Sequence, residues 1–161
     1  LGGKMDMIPG RTNRLVLNPT KVGFFRGVCA EYCGASHALM RFPVVVQERD
    51  EFNRWLAEQA RPAQAPAGVV ATRGQCLFLA IGCGACHSVP RPPARGVIGP
   101  DLTHVGSRLS LAADTLPNET DAFRRWIALT EELKPGAQMP PFHMLPPDDL
   151  TAVAAYLEGL K

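Results

Sequence analysis

The segment from Gly82 to His87 reads Gly-Cys-Gly-Ala-Cys-His, and it constrains the chain more than any other stretch. Two cysteines three positions apart, with a histidine directly after the second, form the pattern that attaches a c-type haem. The two thiols add to the vinyl groups of one porphyrin edge, and the imidazole then lies under the iron as its proximal ligand. We therefore interpret Cys83, Cys86 and His87 as a covalent haem site.

Two other chemistries also use paired cysteines. A structural zinc site needs a second ligand pair at a suitable spacing, and none follows this pair in the sequence. A thioredoxin-like redox pair does not require an adjacent histidine. Both interpretations are weaker than haem attachment, because haem attachment uses the thiols and the imidazole together.

Composition excludes several broad classes of protein. A chain of 161 residues is long enough for one or two small domains. Its hydrophobic content of 46% allows a packed core. The formal net charge of +2 is too balanced to indicate a nucleic-acid partner. No apolar run approaches the length that would span a bilayer.

Another cysteine pair, the first along the chain, indicates another metal centre. Cys29 and Cys33 are four positions apart, His37 follows four positions later, and Met40 follows three after that. Thiolate and thioether ligands with one imidazole favour copper over hard cations. One alternative is the face of an amphipathic helix, which Gly34 and the flanking β-branched runs count against. The other is a zinc site, which would gain little from a thioether.

The remaining pattern divides the chain into two parts. Short apolar runs bounded by turn residues predict strands, and they lie at residues 13–17, 22–28 and 40–47. Apolar residues at helical spacing predict a helix over residues 50–60. The Pro- and Ala-rich residues 61–68 predict an extended, poorly ordered linker.

Residues 27–40 resemble the binuclear copper A loop of cytochrome c oxidase subunit II. They read Gly-Val-Cys-Ala-Glu-Tyr-Cys-Gly-Ala-Ser-His-Ala-Leu-Met. The resemblance implies the following ligands: Cys29 and Cys33 bridging two copper ions, His37 as a terminal ligand, and Met40 and the backbone carbonyl of Glu31 as weak ligands. It also implies that the Glu31 carboxylate helps to hold magnesium or manganese at the interface with subunit I.

Residues 4–11, Lys-Met-Asp-Met-Ile-Pro-Gly-Arg, resemble the segment that follows the first copper histidine in that family. A binuclear site needs a second terminal imidazole, but His87, His104 and His143 all lie in the haem half. We therefore expect the missing ligand upstream of Leu1, together with the two membrane-spanning helices of the family. On this interpretation the chain is a fragment that starts inside its first domain.

Residues 69–161 resemble a class I cytochrome c domain over their whole length. The helices predicted for it are residues 69–82, 121–130 and 148–157. Gly74 and Phe78 suit a close crossing between the first and last of these helices. Residues 134–140, Lys-Pro-Gly-Ala-Gln-Met-Pro, resemble the distal loop of the family.

The resemblance of this loop implies that Met139 is the sixth ligand of the iron. A single methionine is otherwise often core filler. His143 and Met144 are competing ligands, but neither lies in the matching loop. We expect His143 and His104 to face solvent.

The segment Gly-Pro-Asp-Leu at residues 99–102 resembles the Gly-Pro-x-Leu turn of the same family. There the proline carbonyl, here that of Pro100, accepts a hydrogen bond from the proximal imidazole of His87. A plain turn is the alternative. Arg108 and Trp126 resemble the residues that contact the haem propionates in the family, although the spacing of Trp126 also fits a core residue.

The expected fold has two domains. A partial all-β cupredoxin-like sandwich occupies residues 1–60, a linker follows at 61–68, and an all-α class I cytochrome c domain fills 69–161. The resemblance implies an electron-transfer subunit of a respiratory terminal oxidase on the periplasmic or outer face of the cell membrane. Electrons would pass from a donor, either a cytochrome c or a quinol-oxidising complex, through haem c and copper A to subunit I for oxygen reduction.

Three other functions remain open at this point. Nitrous oxide reductase has a similar copper loop, and some versions also have a haem domain. A soluble haem c electron carrier would retain the first half only as a remnant. A structural zinc module fused to a cytochrome would differ from both in its metal content.

Overall fold

A computed structural model describes residues 2–90 and 93–161 of the chain. Its helices are α1 Arg49–Gln59, α2 Gly68–Ala80, α3 Cys83–Cys86, α4 Thr120–Ala128, α5 Thr130–Leu133 and α6 Pro147–Glu158. Its strands are β1 Gly23–Val28, β2 Arg41–Val46, β3 Ser88–Val89, β4 Ala94–Arg95, β5 Ser110–Leu111 and β6 Leu116–Pro117. No helix in these two ranges combines the length and the apolar character that crossing a membrane requires.

Strands β1 and β2 form an antiparallel hairpin that closes the ends of the first cysteine loop. Val28 pairs with Arg41 at the end of the ladder, and the amide of Cys29 donates to the carbonyl of Met40 at 2.9 Å. The strands predicted at residues 22–28 and 40–47 are thus confirmed. The strand predicted at 13–17 is wrong. A strand needs a neighbour to complete its hydrogen bonds, and these residues pair with none in the described part of the chain.

Few side chains of residues 2–60 are buried. Ser36 is the single buried residue of this range, and large apolar side chains such as Phe24, Phe42 and Trp55 are exposed. Helix α1 forms where it was predicted but contains no buried residue. Within the described residues, the predicted sandwich is therefore represented by one two-stranded sheet, an arrangement that is marginal by itself.

The helical part is built on the crossing of α2 and α6. A Cβ atom at Gly74 would lie 1.9 Å from the carbonyl oxygen of Ala152, so the two helix backbones are in direct contact there. One turn further on, the rings of Phe78 and Tyr156 meet edge to face with their centroids 5.6 Å apart. The crossing predicted from Gly74 and Phe78 is confirmed.

The helix predicted at residues 121–130 is interrupted. Leu129 leaves the helical conformation with φ −131° and ψ 36°, which separates α4 from α5. The interruption lets the loop after α5 fold back, since the amide of Phe142 donates to the carbonyl of Ile127 at 2.9 Å. The Thr130 hydroxyl donates to the carbonyl of Met139 at 3.0 Å, which places Met139 beside the core.

The connecting segment at residues 61–68 packs against the helical part. Ala63 is buried in the main core, and the Nε2 atom of His104 lies 2.9 Å from the carbonyl oxygen of Arg61. The segment has no regular structure before α2 begins at Gly68, as expected, but it is fastened rather than loose. His104, which was expected to face solvent, is partly buried and lies against the linker.

We predict that Gly74→Ala lowers the free energy of unfolding by about 1 kcal/mol. Overpacking against a backbone atom costs roughly 1–3 kcal/mol, which exceeds the gain of about 1 kcal/mol that alanine brings to a helix. Urea unfolding followed by circular dichroism measures the difference. The control is Cys76→Ala at an exposed position of α2, which should change stability by less than about 0.5 kcal/mol. Equal effects of the two substitutions would contradict the crossing at Gly74.

Candidate functional site

A large apolar cavity of about 1140 Å³ opens beside the second cysteine pair. Cys83, Cys86, His87 and Met139 all line it. Most of its remaining wall in the helical part is hydrophobic: Phe78, Leu102, Val105, Leu111, Phe123 and Ile127. Its size and apolar lining fit a flat macrocycle the size of haem, with two thiols, an imidazole and a thioether around it.

The local backbone explains why the thiols and the imidazole face one cavity. Helix α3 is a single turn that starts after Gly82, whose φ of 93° is a left-handed conformation favoured by glycine. Three positions make about one turn, so Cys83 and Cys86 project from the same side. His87 then leaves the helix in an extended conformation, with φ −107° and ψ 147°.

The turn at residues 99–102 holds the ring of His87 through a hydrogen bond. Its Nδ1 atom lies 2.8 Å from the carbonyl oxygen of Pro100. A carbonyl only accepts, so Nδ1 bears the hydrogen, and the lone pair of Nε2 is left free for a metal. A Cβ atom at Gly99 would lie 2.5 Å from Cε1 of the ring, so only glycine leaves room for the imidazole.

The role of Gly99 was missed from the sequence. The turn was singled out there for the carbonyl of Pro100, while its glycine was read only as part of a turn. The signal that could have found it is the order of the residues, because the residue before the accepting proline must pass beside the imidazole.

Among the competing distal residues, Met139 is the one on the cavity wall. It packs against the core, whereas Met144 is 67% exposed and His143 is exposed as well. Neither Met144 nor His143 lines the cavity. The expectation that His143 faces solvent is confirmed.

Arg108 and Trp126 also line the cavity. A guanidinium nitrogen of Arg108 donates to the carbonyl of Asp101 at 2.5 Å, and burial lowers the pKa of Arg108. The indole of Trp126 is partly buried against the core. The sequence left both a core position and a haem contact open for Trp126, and its place on the wall is compatible with either.

Asp101 anchors the same turn through its carboxylate. The amide of Thr103 and the hydroxyl of Ser88 each donate to it at 2.8 Å. Burial alone would raise the pKa of Asp101, but these hydrogen bonds and the charge of Arg108 outweigh burial and hold it below its ordinary value of 3.8. Sequence reasoning gave Asp101 no role, because the Ser88 hydroxyl that donates to it lies 13 positions away in the chain.

The first cysteine pair forms a compact cluster of soft donor atoms. The two sulfur atoms of Cys29 and Cys33 lie 3.3 Å apart, and Cys33 Sγ lies 3.7 Å from His37 Nδ1 and 3.6 Å from Met40 Sδ. Cys29 Sγ lies 3.3 Å from the carbonyl oxygen of Glu31. The five groups predicted from the sequence thus converge, and thiolates with an imidazole and a thioether suit copper.

Two features of this cluster bear on its composition. Of the four histidines in the chain, His37 alone lies in the cluster. The Glu31 carboxylate pairs with Lys4 at 2.5 Å, both side chains being exposed. Surface pairs of this kind contribute only about 0–1 kcal/mol, so Lys4 presents little obstacle to a cation at Glu31.

Comparison with known families agrees with this geometry. The family model for cytochrome c matches residues 71–161, more than half of the chain, and the chain belongs to the cytochrome c family. The model for the periplasmic domain of cytochrome c oxidase subunit II matches residues 1–49. The predicted combination of a subunit II segment with a cytochrome c segment is confirmed.

Individual relatives match the chain from end to end. It is 37% identical to cytochrome c oxidase subunit 2 of Alkalihalophilus pseudofirmus over all of its 161 residues, which is 46% of that protein. It is 33% identical to cytochrome c oxidase subunit 2 of Bacillus sp. strain PS3 and 30% identical to that of Bacillus subtilis, in each case covering 48% of the relative. The chain thus spans about half the length of the curated relatives it matches.

We predict that Asp101→Asn destabilises the protein by about 1 kcal/mol at neutral pH, because an amide accepts these hydrogen bonds less strongly than a carboxylate. The carboxyl has a lowered pKa in the folded state, so its contribution is complete above about pH 4 and is lost as the pH falls through the folded value. Unfolding midpoints at pH 7 and pH 3 measure the effect. The difference between the variant and the parent should shrink as the pH falls below 4, and a difference that is as large at pH 3 as at pH 7 would contradict this role.

Proposed function

We propose that the chain is the electron-transfer part of subunit 2 of a respiratory terminal oxidase. Residues 1–60 would be the later part of a cupredoxin-like copper A domain, 61–68 the linker and 69–161 a cytochrome c domain. The observation that carries the proposal is the presence, in one chain, of a soft-donor cluster at Cys29 and Cys33 and an apolar cavity bordered by Cys83, Cys86 and Met139.

In the cytochrome segment, Cys83 and Cys86 would attach a haem c covalently and His87 would be its proximal ligand. Pro100 supports this assignment, because its carbonyl holds the Nδ1–H of His87 and so raises the basicity of Nε2. Met139 would supply the sixth ligand. With both axial positions filled by protein side chains, this segment suits electron transfer rather than oxygen chemistry.

In the copper segment, Cys29 and Cys33 would bridge two copper ions, with His37 as a terminal ligand and with Met40 and the carbonyl of Glu31 as weak ligands. The short distances between these donor atoms support the assignment. When bound, the haem and the copper pair would each accept and release one electron. The second imidazole and a magnesium or manganese ion at the Glu31 carboxylate belong to the proposed complete site.

We further propose the direction of transfer and the partners. Electrons would enter from an external donor, a cytochrome c or a quinol-oxidising complex, and leave from the copper loop to subunit I. The full-length protein would be anchored in the cell membrane with both segments on its periplasmic or outer face. The whole-chain match to proteins named cytochrome c oxidase subunit 2 favours this function over a nitrous oxide reductase, a soluble carrier or a zinc module.

The test is Met139→His in the full-length subunit. Imidazole donates more strongly than a thioether, so the haem should stay six-coordinate while its reduction potential falls by about 0.1 V or more, within the roughly 0.8 V that axial ligands span. Stopped-flow spectroscopy should show slower haem reduction by the donor. The later transfer from haem to copper should remain competent, because the reduced haem becomes a stronger reductant.

The matched control is Met144→His, at an exposed methionine five positions away. It should leave both the potential and the two rates unchanged. If Met144→His shifted the reduction potential and Met139→His did not, the proposed assignment of Met139 as the distal ligand would be wrong. Copper that is reduced before the haem in the unmodified subunit would contradict the proposed direction.

A further inference from the structure

A strained turn of the cytochrome segment contacts the hairpin that carries the copper loop. Residues 112–114 are not glycines, yet all three have left-handed backbones, with φ values of 53°, 59° and 62°. Such conformations cost about 1–3 kcal/mol each and persist where the surroundings fix them. Here the amide of Arg41, the first residue of β2, donates to the carbonyl of Ala113 at 3.2 Å.

Asp114, the last residue of this turn, also forms a salt bridge with the hairpin. The Nε atom of Arg26 in β1 lies 3.2 Å from an Asp114 carboxylate oxygen, and this oxygen is fully buried without a hydrogen bond among the described residues. The Asp114 side chain is 14% exposed and that of Arg26 is 63% exposed. A carboxylate that is largely withdrawn from water depends on the cation opposite it, so Arg26 gives the contact direction and specificity.

A second contact joins the copper loop itself to the distal loop. The hydroxyl of Ser36, the residue before His37, donates to the carbonyl of Pro135 at 2.6 Å. Ser36 is 6% exposed. Pro135 lies four positions before Met139, so this hydrogen bond connects the loop of one centre to the loop of the other.

The linker at residues 61–68 also helps to hold the two segments together. Burial of Ala63 and the contact between Arg61 and His104 fasten it to the helical part. A short tether of this kind keeps the two segments at high effective concentration, so a few polar contacts are enough to select one orientation.

We propose that residues 112–114 are the docking element that seats the cytochrome segment on the copper loop, and that Arg26, Asp114 and Ser36 are positioning residues for electron transfer between the two centres. The proposal rests on the proposed function for the electron transfer, but the docking contact itself does not require it. None of the three residues is among the proposed ligands. Their effect is on orientation and separation, not on the potential of either centre.

The experiment uses the full-length subunit with Asp114→Asn, since asparagine keeps the size of the side chain and tolerates a left-handed backbone. Hydrogen exchange of the Arg41 amide reports opening of the contact directly. Its protection should fall about tenfold, which corresponds to about 1.4 kcal/mol. The rate of electron transfer from haem to copper should fall as well, with both reduction potentials unchanged.

Arg26→Gln and the double variant complete a mutant cycle. If the two side chains act on each other, the double variant should lose little more protection than either single variant. Ser36→Ala should slow the transfer with an unchanged copper spectrum. The matched control is Asp149→Asn, which removes an ion pair with Arg73 inside the helical part. Asp149 is 18% exposed and Arg73 is 56% exposed, which is similar to the exposures of Asp114 and Arg26. It should change neither protection at Arg41 nor the transfer rate.

Unchanged protection of Arg41 in Asp114→Asn would overturn the docking contact. Lower protection with an unchanged transfer rate would overturn the positioning role, and so would a loss of rate that is accompanied by a shift of the haem potential. An equal effect of Asp149→Asn would also overturn the proposal. If the unmodified subunit transfers no electrons from haem to copper, the proposed function fails, while the exchange experiment still decides whether the contact exists.

Discussion

The hydrogen bond between His87 Nδ1 and the carbonyl of Pro100 is the interaction on which the haem site depends. In the proposed site, Cys83 and Cys86 would hold the porphyrin edge, and the imidazole of His87 could bind the iron only in one tautomer and one orientation. Gly99 leaves room for the ring and Asp101 fastens the turn from the other side. Gly99, Pro100 and Asp101 thus fix the position of the His87 ring, although the turn that contains them has no regular secondary structure.

The helical part can supply this precision because its core is continuous. Helices α2 and α6 touch backbone to backbone at Gly74, and buried core residues such as Phe78, Phe123 and Leu157 line the cavity. The hairpin part is different, because its apolar residues are mostly exposed and its order comes from the ladder that closes the cysteine loop. The soft-donor cluster therefore depends on local loop geometry, whereas the cavity is bordered by the core of the helical part and also by residues of the hairpin and α1, such as Phe42 and Trp55.

The sequence predicted what is encoded locally. The Cys83–His87 pattern and the convergence of Cys29, Cys33, His37 and Met40 follow from spacing, whereas the α2–α6 crossing was expected from the resemblance to a cytochrome c domain. The failures lie where distant residues decide. A strand at 13–17 required a partner, and the break at Leu129 depends on the loop that returns to Ile127.

Contacts across the two parts were also beyond reach from the sequence. His104 was expected in solvent, but the linker covers it. Nothing in the local pattern around Asp114 or Ser36 indicates a partner, because their partners Arg26 and Pro135 are 88 and 99 positions away. Left-handed alanines in particular have no sequence signature, since alanine is ordinarily a helix former.

The proposed function requires one chain to join a covalent haem to a copper cluster, and the mass of the haem-bearing protein under denaturing conditions tests the haem attachment. We expect a polypeptide that retains one haem after extraction with acid and organic solvent, because thioether bonds to Cys83 and Cys86 would survive unfolding. A polypeptide of unmodified mass would contradict covalent attachment, whether the haem is recovered in the organic phase or the native protein contains zinc instead of haem.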